Sequence, residues 1–392
     1  MKLRQLIGLS FILIAAVYQS CNSQPTASPI IPGDVQLDRY LPLIKDKRVA
    51  VVGNHSASIS DTHLIDTLLS LNINVVKALA PEHGFRGDKS DGAMINHDVD
   101  AKTGIPIISM YGKTKTLDPA LFKDIDVVIF DIQDVGVRFF TFISAMHYVM
   151  EACAESGTPL IVLDKPNPNG MYIDGPVLDS SQRSYIGVHK IPVVHALTVG
   201  ELAEMINGEG WLTNAAKCDL TVIPVKNYTH KMPYHIAVKP SPNLPNDLAI
   251  TLYPSLALFE GTQISVGRGT YKPFLQIGHP SFTDLEYTFT PVSIEGMSKY
   301  PPLEGQVCHG YNLENIDFKP HFTLKYLIEF YQKFDDKEHF FKPYFNKLIG
   351  NTVTMEQIEA GLSEKEIKAS WQPELSKYKN MRKKYLLYPD FE

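Results

Sequence analysis

The sequence predicts an α/β protein with a Rossmann-like, doubly wound parallel sheet, joined to a smaller C-terminal α+β domain. Three observations lead there. Short β-branched runs alternate with helix-period segments from Arg48 onward, polar side chains collect where those runs end, and the Pro- and Gly-rich sequence after residue 215 breaks the alternation. A length of 392 residues, with 44% hydrophobic and 20% charged side chains, suits two domains.

In chain order, Lys2 and Arg4 precede an apolar run from Leu6 to Val17, shaped like an export signal and too short to span a bilayer comfortably. Cys21 follows small Ser20 in the place of an acylated lipoprotein cysteine. Residues 1–21 therefore read as a signal and lipidation segment, and the polar, Pro-rich residues 22–37 as a tether to a membrane surface. An exported, periplasmic, membrane-anchored protein is expected. The net charge of −6 gives no basic field for nucleic acid. Cys153, Cys218 and Cys308 lack CxxC spacing, against a zinc site or a disulfide framework.

RVAVVGN, NVVKALA, IPIISMYG, DVVIFDIQ and PLIVLDKPNP read as strands, with helices in DTHLIDTLLSL and Arg138–Ser156. These are βαβ units of a sheet covered on both faces, placed in a domain of residues 38–214. The strand ends carry Asn54 and His55, then Glu82, His83 and Arg86, then Asp131, Gln133 and Asp134, then Asp164 and Asn167. Open α/β sheets bind ligands beyond the carboxyl ends of their strands, so four loops are expected to face one crevice. VVGNHSAS is no GxGxxG, and no P-loop occurs, so neither a dinucleotide nor ATP is expected. HExxH and GxSxG are absent as well, against a metallohydrolase using His55, His83 and His97 and against a serine hydrolase. No cofactor or metal is assigned.

The segments LTVIPV, LAITLYPSLALF and TQISVG, followed by helical LKYLIEFYQKF and Ser363–Leu387, make up the second domain, residues 215–392.

Chemistry concentrates in a few stretches. In PEHGFRG, Glu82 follows apolar Ala78–Ala80, where desolvation would raise its carboxyl toward the range of a general acid. Arg86 could orient that carboxyl or grip an anionic substrate group. In DIQDVGVRFFTFISAM, Asp131, Gln133, Asp134 and Arg138 suit sugar hydroxyls, while the alternative has Asp134 capping a helix and Arg138 pairing with an acid. Phe139, Phe140 and Phe142 read as core. Pro-stiffened DKPNPNG and PSPNLPND present Asp164, Asn167 and Asn243. Glu260, near Arg268, is the best second carboxylate in the other half of the chain unless it only braces a turn.

Taken together, PEHGFRG, DIQDVGVRFFTFI, LDKPNPNG, PVVHALTVGELAEMIN, SPNLP and YPSLALFEGTQISVGRGT resemble the NamZ-type exo-β-N-acetylmuramidase family, long catalogued as a domain of unknown function. The resemblance runs from about residue 38 to the C-terminus. It implies a cleft between the two domains and metal-free removal of β-1,4-linked N-acetylmuramic acid from the non-reducing end of peptidoglycan fragments. It places the glutamate of the EHG loop at Glu82, as general acid, and that of LFEGT at Glu260. For the second role Glu260, the Asp131–Asp134 pair and the substrate's own 2-acetamido group compete. Asn54, His83, Gln133, Asp164, Asn167, His195 and Asn243 are expected substrate contacts, and Arg86, Arg138 and Arg268 are candidates for the lactyl carboxylate. Departures from the pattern are Phe140 and Phe142 for expected tyrosines, Lys165 for a commoner arginine, and AVK for an expected tryptophan before PSPNLP. Another hexosaminidase, such as an N-acetylglucosaminidase, and a non-catalytic sugar-binding lipoprotein are the rival readings.

Overall fold

The computed structural model describes residues 28–81, 84–86, 98–110 and 117–392. Its strands are β1 (Val49–Gly53), β2 (Ser58–Ile59), β3 (Thr62–His63), β4 (Val75–Ala80), β5 (Asp98–Val99), β6 (Pro106–Ser109), β7 (Val127–Asp131), β8 (Leu160–Leu163), β9 (Leu220–Ile223), β10 (Gln276–His279), β11 (Tyr287–Phe289) and β12 (Cys308–Asn312). The α-helices are α1 (Leu37–Ile44), α2 (Leu64–Ser70), α3 (Phe142–Ser156), α4 (Val199–Gly208), α5 (Asp247–Leu256), α6 (Lys325–Lys333), α7 (Tyr344–Ile349), α8 (Val353–Glu359) and α9 (Glu364–Arg382).

The large sheet has the order β5-β6-β4-β1-β7-β8-β9. Every pair in it is parallel except β5 with β6. Taken in chain order, the six parallel strands lie third, second, first, fourth, fifth, sixth, the doubly wound arrangement with its reversal between β1 and β7. Buried along their whole length, β1, β7 and β8 read as unbroken apolar runs for that reason. Alternate residues serve the two faces. Val49, Val51 and Ile129 pack with Tyr40 and Ile44 of α1 and Leu64 and Leu68 of α2, whereas Ala50, Val52 and Val128 pack with Met146 and Val149 of α3 and Leu202 of α4.

The second domain carries an antiparallel sheet, β10-β12-β11, with helices α5 to α9. Arg138, buried in the first domain, joins the two. Its Nη1 donates to the Pro176 and Ile191 carbonyls (2.8 and 3.0 Å) and its Nη2 to those of Leu348 and Ile349 at the end of α7 (2.9 and 2.8 Å).

Two expected boundaries move. Strand β9 pairs with β8, so the first domain continues past residue 214 and the change of domain falls between β9 and α5. Residues 31–36 are no free tether. Ile31 and Lys226 exchange backbone hydrogen bonds, and Gln36 Nε2 donates to the carbonyls of Ile31, Pro32 and Pro224. The signal segment and Cys21 lie outside the described residues. Among the described residues no helix is long and apolar enough to cross a membrane.

Candidate active site

The sheet reversal places the loop after β1, Asn54–His55–Ser56, beside the segment after β7, Asp131–Asp134. Ser56 ties them together: its Oγ donates to Asn54 Oδ1 (2.6 Å) and accepts from the Gln133 backbone N–H (3.0 Å). Lys165, at the end of β8, fastens the same corner from below. Its ammonium donates to the Ser56 carbonyl (2.9 Å) and stands 2.9 Å from both Asp131 Oδ1 and Asp34 Oδ2. Burial opposes charge on Lys165, but the two carboxylates outweigh it and keep the ammonium protonated, while burial pushes the Asp131 carboxyl upward. The Lys165 and Asp34 contributions escaped the sequence reading. A lysine directly after a strand-end aspartate, in DKPNP, was the one available signal.

Around this corner buried polar atoms are left without partners. They are Asn54 Nδ2, His55 Nδ1, Asp134 Oδ1, His195 Nε2 and both Oδ1 and Nδ2 of Asn243. Buried polar groups are nearly always hydrogen-bonded, so such a concentration at the ligand-binding edge of an α/β sheet marks a place prepared for a polar ligand.

Asp134 Oδ2 accepts the Gly136 N–H (2.6 Å), and burial pushes its carboxyl up to about 7. Gly136 turns with φ 75°, and a Cβ there would lie 2.1 Å from Asn167 Oδ1, so the tight loop that aims Asp134 requires glycine. His195 Nδ1 accepts from the Leu197 N–H (3.2 Å), which leaves its proton on Nε2, 3.9 Å from Asp134 Oδ2. Burial first, then Arg382 and Arg138, hold the imidazole down to about 3, so it is neutral. His55 Nε2 stands 2.6 Å from the Lys239 carbonyl, linking the β1 loop to PSPNLP, where Asn243 sits.

The second domain brings its own pair. Arg268 Nε donates to Glu260 Oε1, and its guanidinium lies 5.3 Å from the Phe274 ring centroid. Phe274 meets Tyr253 edge-on (4.9 Å), and Tyr253 meets Phe139 and Phe140 (5.5 and 5.9 Å). A row of rings thus connects the Glu260–Arg268 pair to the Asp131–Asp134 segment. The phenylalanines belong to the core as expected, and Tyr253 is a bridge the sequence did not disclose.

Five residues expected to contact substrate are held by partners within the protein. Arg86 is held by Asp100 (2.7 and 2.7 Å) and Asp66 (3.2 and 3.1 Å), and those bonds, Asp100 first, raise its guanidinium further, so it braces its own loop. Arg138 spends four donors on carbonyls, and burial lowers it to about 9. Asp164 accepts from Thr198 Oγ1, from the Gly200 N–H (both 2.7 Å) and from the Tyr388 hydroxyl, closing the start of α4. Asn167 donates to the Leu197 carbonyl (2.9 Å) and accepts from the Asn169 N–H (2.8 Å). Gln133 also points inward, donating to the Asp134 and Pro166 carbonyls. Glu82, His83 and His97 lie outside the described residues. Among the described residues no group of three His, Cys, Asp or Glu side chains could hold a metal.

An open α/β sheet whose reversal presents amides, imidazoles and a raised carboxyl, backed by a second domain with a carboxylate–guanidinium pair, defines a two-domain protein built to grip a small polar ligand. Residues 49–248 match the family model "Exo-beta-N-acetylmuramidase NamZ, N-terminal" and residues 251–388 its C-terminal counterpart, the two meeting within α5. The chain belongs to the NamZ family. It is 38% identical over 379 residues to the peptidoglycan beta-N-acetylmuramidase NamZ of Bacillus subtilis (strain 168), covering 91% of this chain and 90% of that protein. Two crystal structures of DUF1343 family proteins from Bacteroides fragilis share the fold. One is 46% identical with a TM-score of 0.86 (93% of this chain, 100% of the other), the second 28% identical with a TM-score of 0.80 (92% and 99%).

Proposed function

We propose that the protein is an exo-acting glycosidase that releases β-1,4-linked N-acetylmuramic acid from the non-reducing end of peptidoglycan fragments. The observation that carries this is the gathering of unpartnered buried polar atoms at the sheet reversal of a chain whose two halves both match the NamZ models. Glu82 gives its proton to the leaving glycosidic oxygen. Asp134, with an oxygen free, accepts the N–H of the 2-acetamido group and aims its carbonyl oxygen at the anomeric carbon. That oxygen displaces the leaving sugar. Water then opens the cyclic intermediate and returns a proton to Glu82. Asn54, His55, His195 and Asn243 hold hydroxyls, and Arg268, braced on Glu260, meets the lactyl carboxylate.

The export pattern of residues 1–21 supports a periplasmic site of action with a lipid anchor on Cys21. The activity is tested by incubating the protein with the disaccharide N-acetylmuramyl-β-1,4-N-acetylglucosamine, with and without chelator, and separating the products. Free N-acetylmuramic acid in both samples supports the reading. Intact disaccharide in both, with the protein folded, defeats it and favours a binding lipoprotein.

A further inference from the structure

Away from the strand ends, a cavity of about 190 Å³ opens beside the segment Leu178–Lys190, and no strand-end residue lines it. Its floor is Leu178, Val188 and His189, one wall is Trp211, and Arg183 and Lys190 stand at the exposed rim. His189 is 2% exposed and its Nδ1 has no partner.

The neighbouring groups decide what that nitrogen offers. His147 Nε2 stands 3.3 Å from Glu151 Oε1, so in the neutral imidazole the carboxylate favours the proton on that nitrogen. His147 Nδ1 is then an acceptor, 3.2 Å from His189 Nε2, which must donate to it. The remaining nitrogen, His189 Nδ1, is then a buried acceptor without a partner, on a residue that lines the cavity. Trp211 stacks on the His189 ring at 5.6 Å with a 27° tilt, and Thr213 fixes Glu151 through its N–H and hydroxyl (3.1 and 2.7 Å). The Arg183 side chain has no ion-pair partner among the described residues, and the nearest carboxylate to Lys190, on Glu374, is 3.9 Å away on the surface. One buried acceptor, one indole, the unpaired Arg183 and Lys190, whose exposed ion pair with Glu374 is long, make a complementary set.

We propose that this cavity is a second binding site, for a small acylated acid that presents an N–H or O–H to His189, a carboxylate to Arg183 and Lys190, and a flat face to Trp211. The choice of ligand rests on the proposed function. N-acetylmuramic acid, the product, is such an acid, and an acylated amino acid from a peptide stem has the same chemistry. The site sits behind Arg138: His189 O accepts from the Ile191 N–H, and Ile191 O accepts from Arg138 Nη1.

Trp211 reports on it directly, because the chain has only one other tryptophan, Trp371, which is buried. Emission is titrated with N-acetylmuramic acid, N-acetylglucosamine and N-acetyl-D-alanine. A saturable change with one or both of the acids is expected, with N-acetylglucosamine weaker by about tenfold or more, as loss of a charge-assisted contact requires. The stronger acid identifies the source. Arg183→Gln, at the exposed rim, should weaken the acid by about tenfold and leave chromogenic turnover unchanged, and Trp211→Phe should remove the signal. Equal responses to acid and neutral sugar, no response to any of the three, or undiminished binding in Arg183→Gln overturns the proposal. Failure of the muramidase reading would appear separately, as absent turnover, with the emission titration intact.

Discussion

Replacing Asp134 with asparagine should flatten the pH dependence of stability. In the folded protein burial pushes this carboxyl up to about 7, against 3.8 for the unperturbed group. The gap is about 3 units, and at about 1.4 kcal/mol per unit it corresponds to about 4 kcal/mol as an upper bound. The sign follows from proton counts. Between pH about 4 and about 7 the folded state holds a proton here that the unfolded state has lost, so stability is full below the unfolded value and falls as pH rises through the folded one. Asparagine can still accept the Gly136 N–H through its carbonyl and cannot ionise. Asp164, also pushed up to about 7 by burial, contributes the same trend to both proteins, so the difference between them isolates Asp134. Urea midpoints of wild type and variant across pH about 4 to 8 measure it, with wild type losing up to about 4 kcal/mol more than the variant. Parallel profiles would refute the reasoning, because the Asp134 carboxyl would then titrate alike in both states.

Glu82→Gln should lower turnover by about a hundredfold or more with little change in melting temperature, measured by product release and thermal unfolding. Arg138→Met leaves the buried carbonyls of Pro176, Leu348 and Ile349 without a donor, while Ile191 O keeps the Leu178 N–H, and should cost about 3 kcal/mol or more in urea denaturation. Lys165→Met strands Asp131 and Asp34 as a buried like-charged pair and should cost about 3–5 kcal/mol, by the same measurement at neutral pH. Cys21→Ser should move the protein from the membrane fraction to the soluble periplasmic fraction on cell fractionation.

The parallel sheet was legible because its strands are buried on both faces and therefore leave unbroken apolar runs, as in VAVVG and VVIFD. The gathering of polar side chains at strand ends was legible too, since it follows from the position of each run's last residue. Which of them meet a ligand was not. Arg138 and Asn54 look alike in sequence, yet Arg138 finds acceptors 210 and 211 positions away, at Leu348 and Ile349, whereas Asn54 Nδ2 finds none. Asp164 likewise answers to Tyr388, 224 positions distant. The boundary at residue 215 failed for a related reason: LTVI is a four-residue run whose sheet membership depends on pairing with β8, a contact that no local pattern encodes. Residues 31–36 look like linker by composition and are held by backbone and Gln36 hydrogen bonds that composition does not report.

The most direct test of the central claim is chromophore release from 4-nitrophenyl β-N-acetylmuramide, run beside the corresponding N-acetylglucosaminide. Turnover of the muramide and not of the glucosaminide, with the rate unchanged by chelator, is the expected result. Equal or preferential turnover of the glucosaminide, or no turnover of either by folded protein, would contradict the assignment.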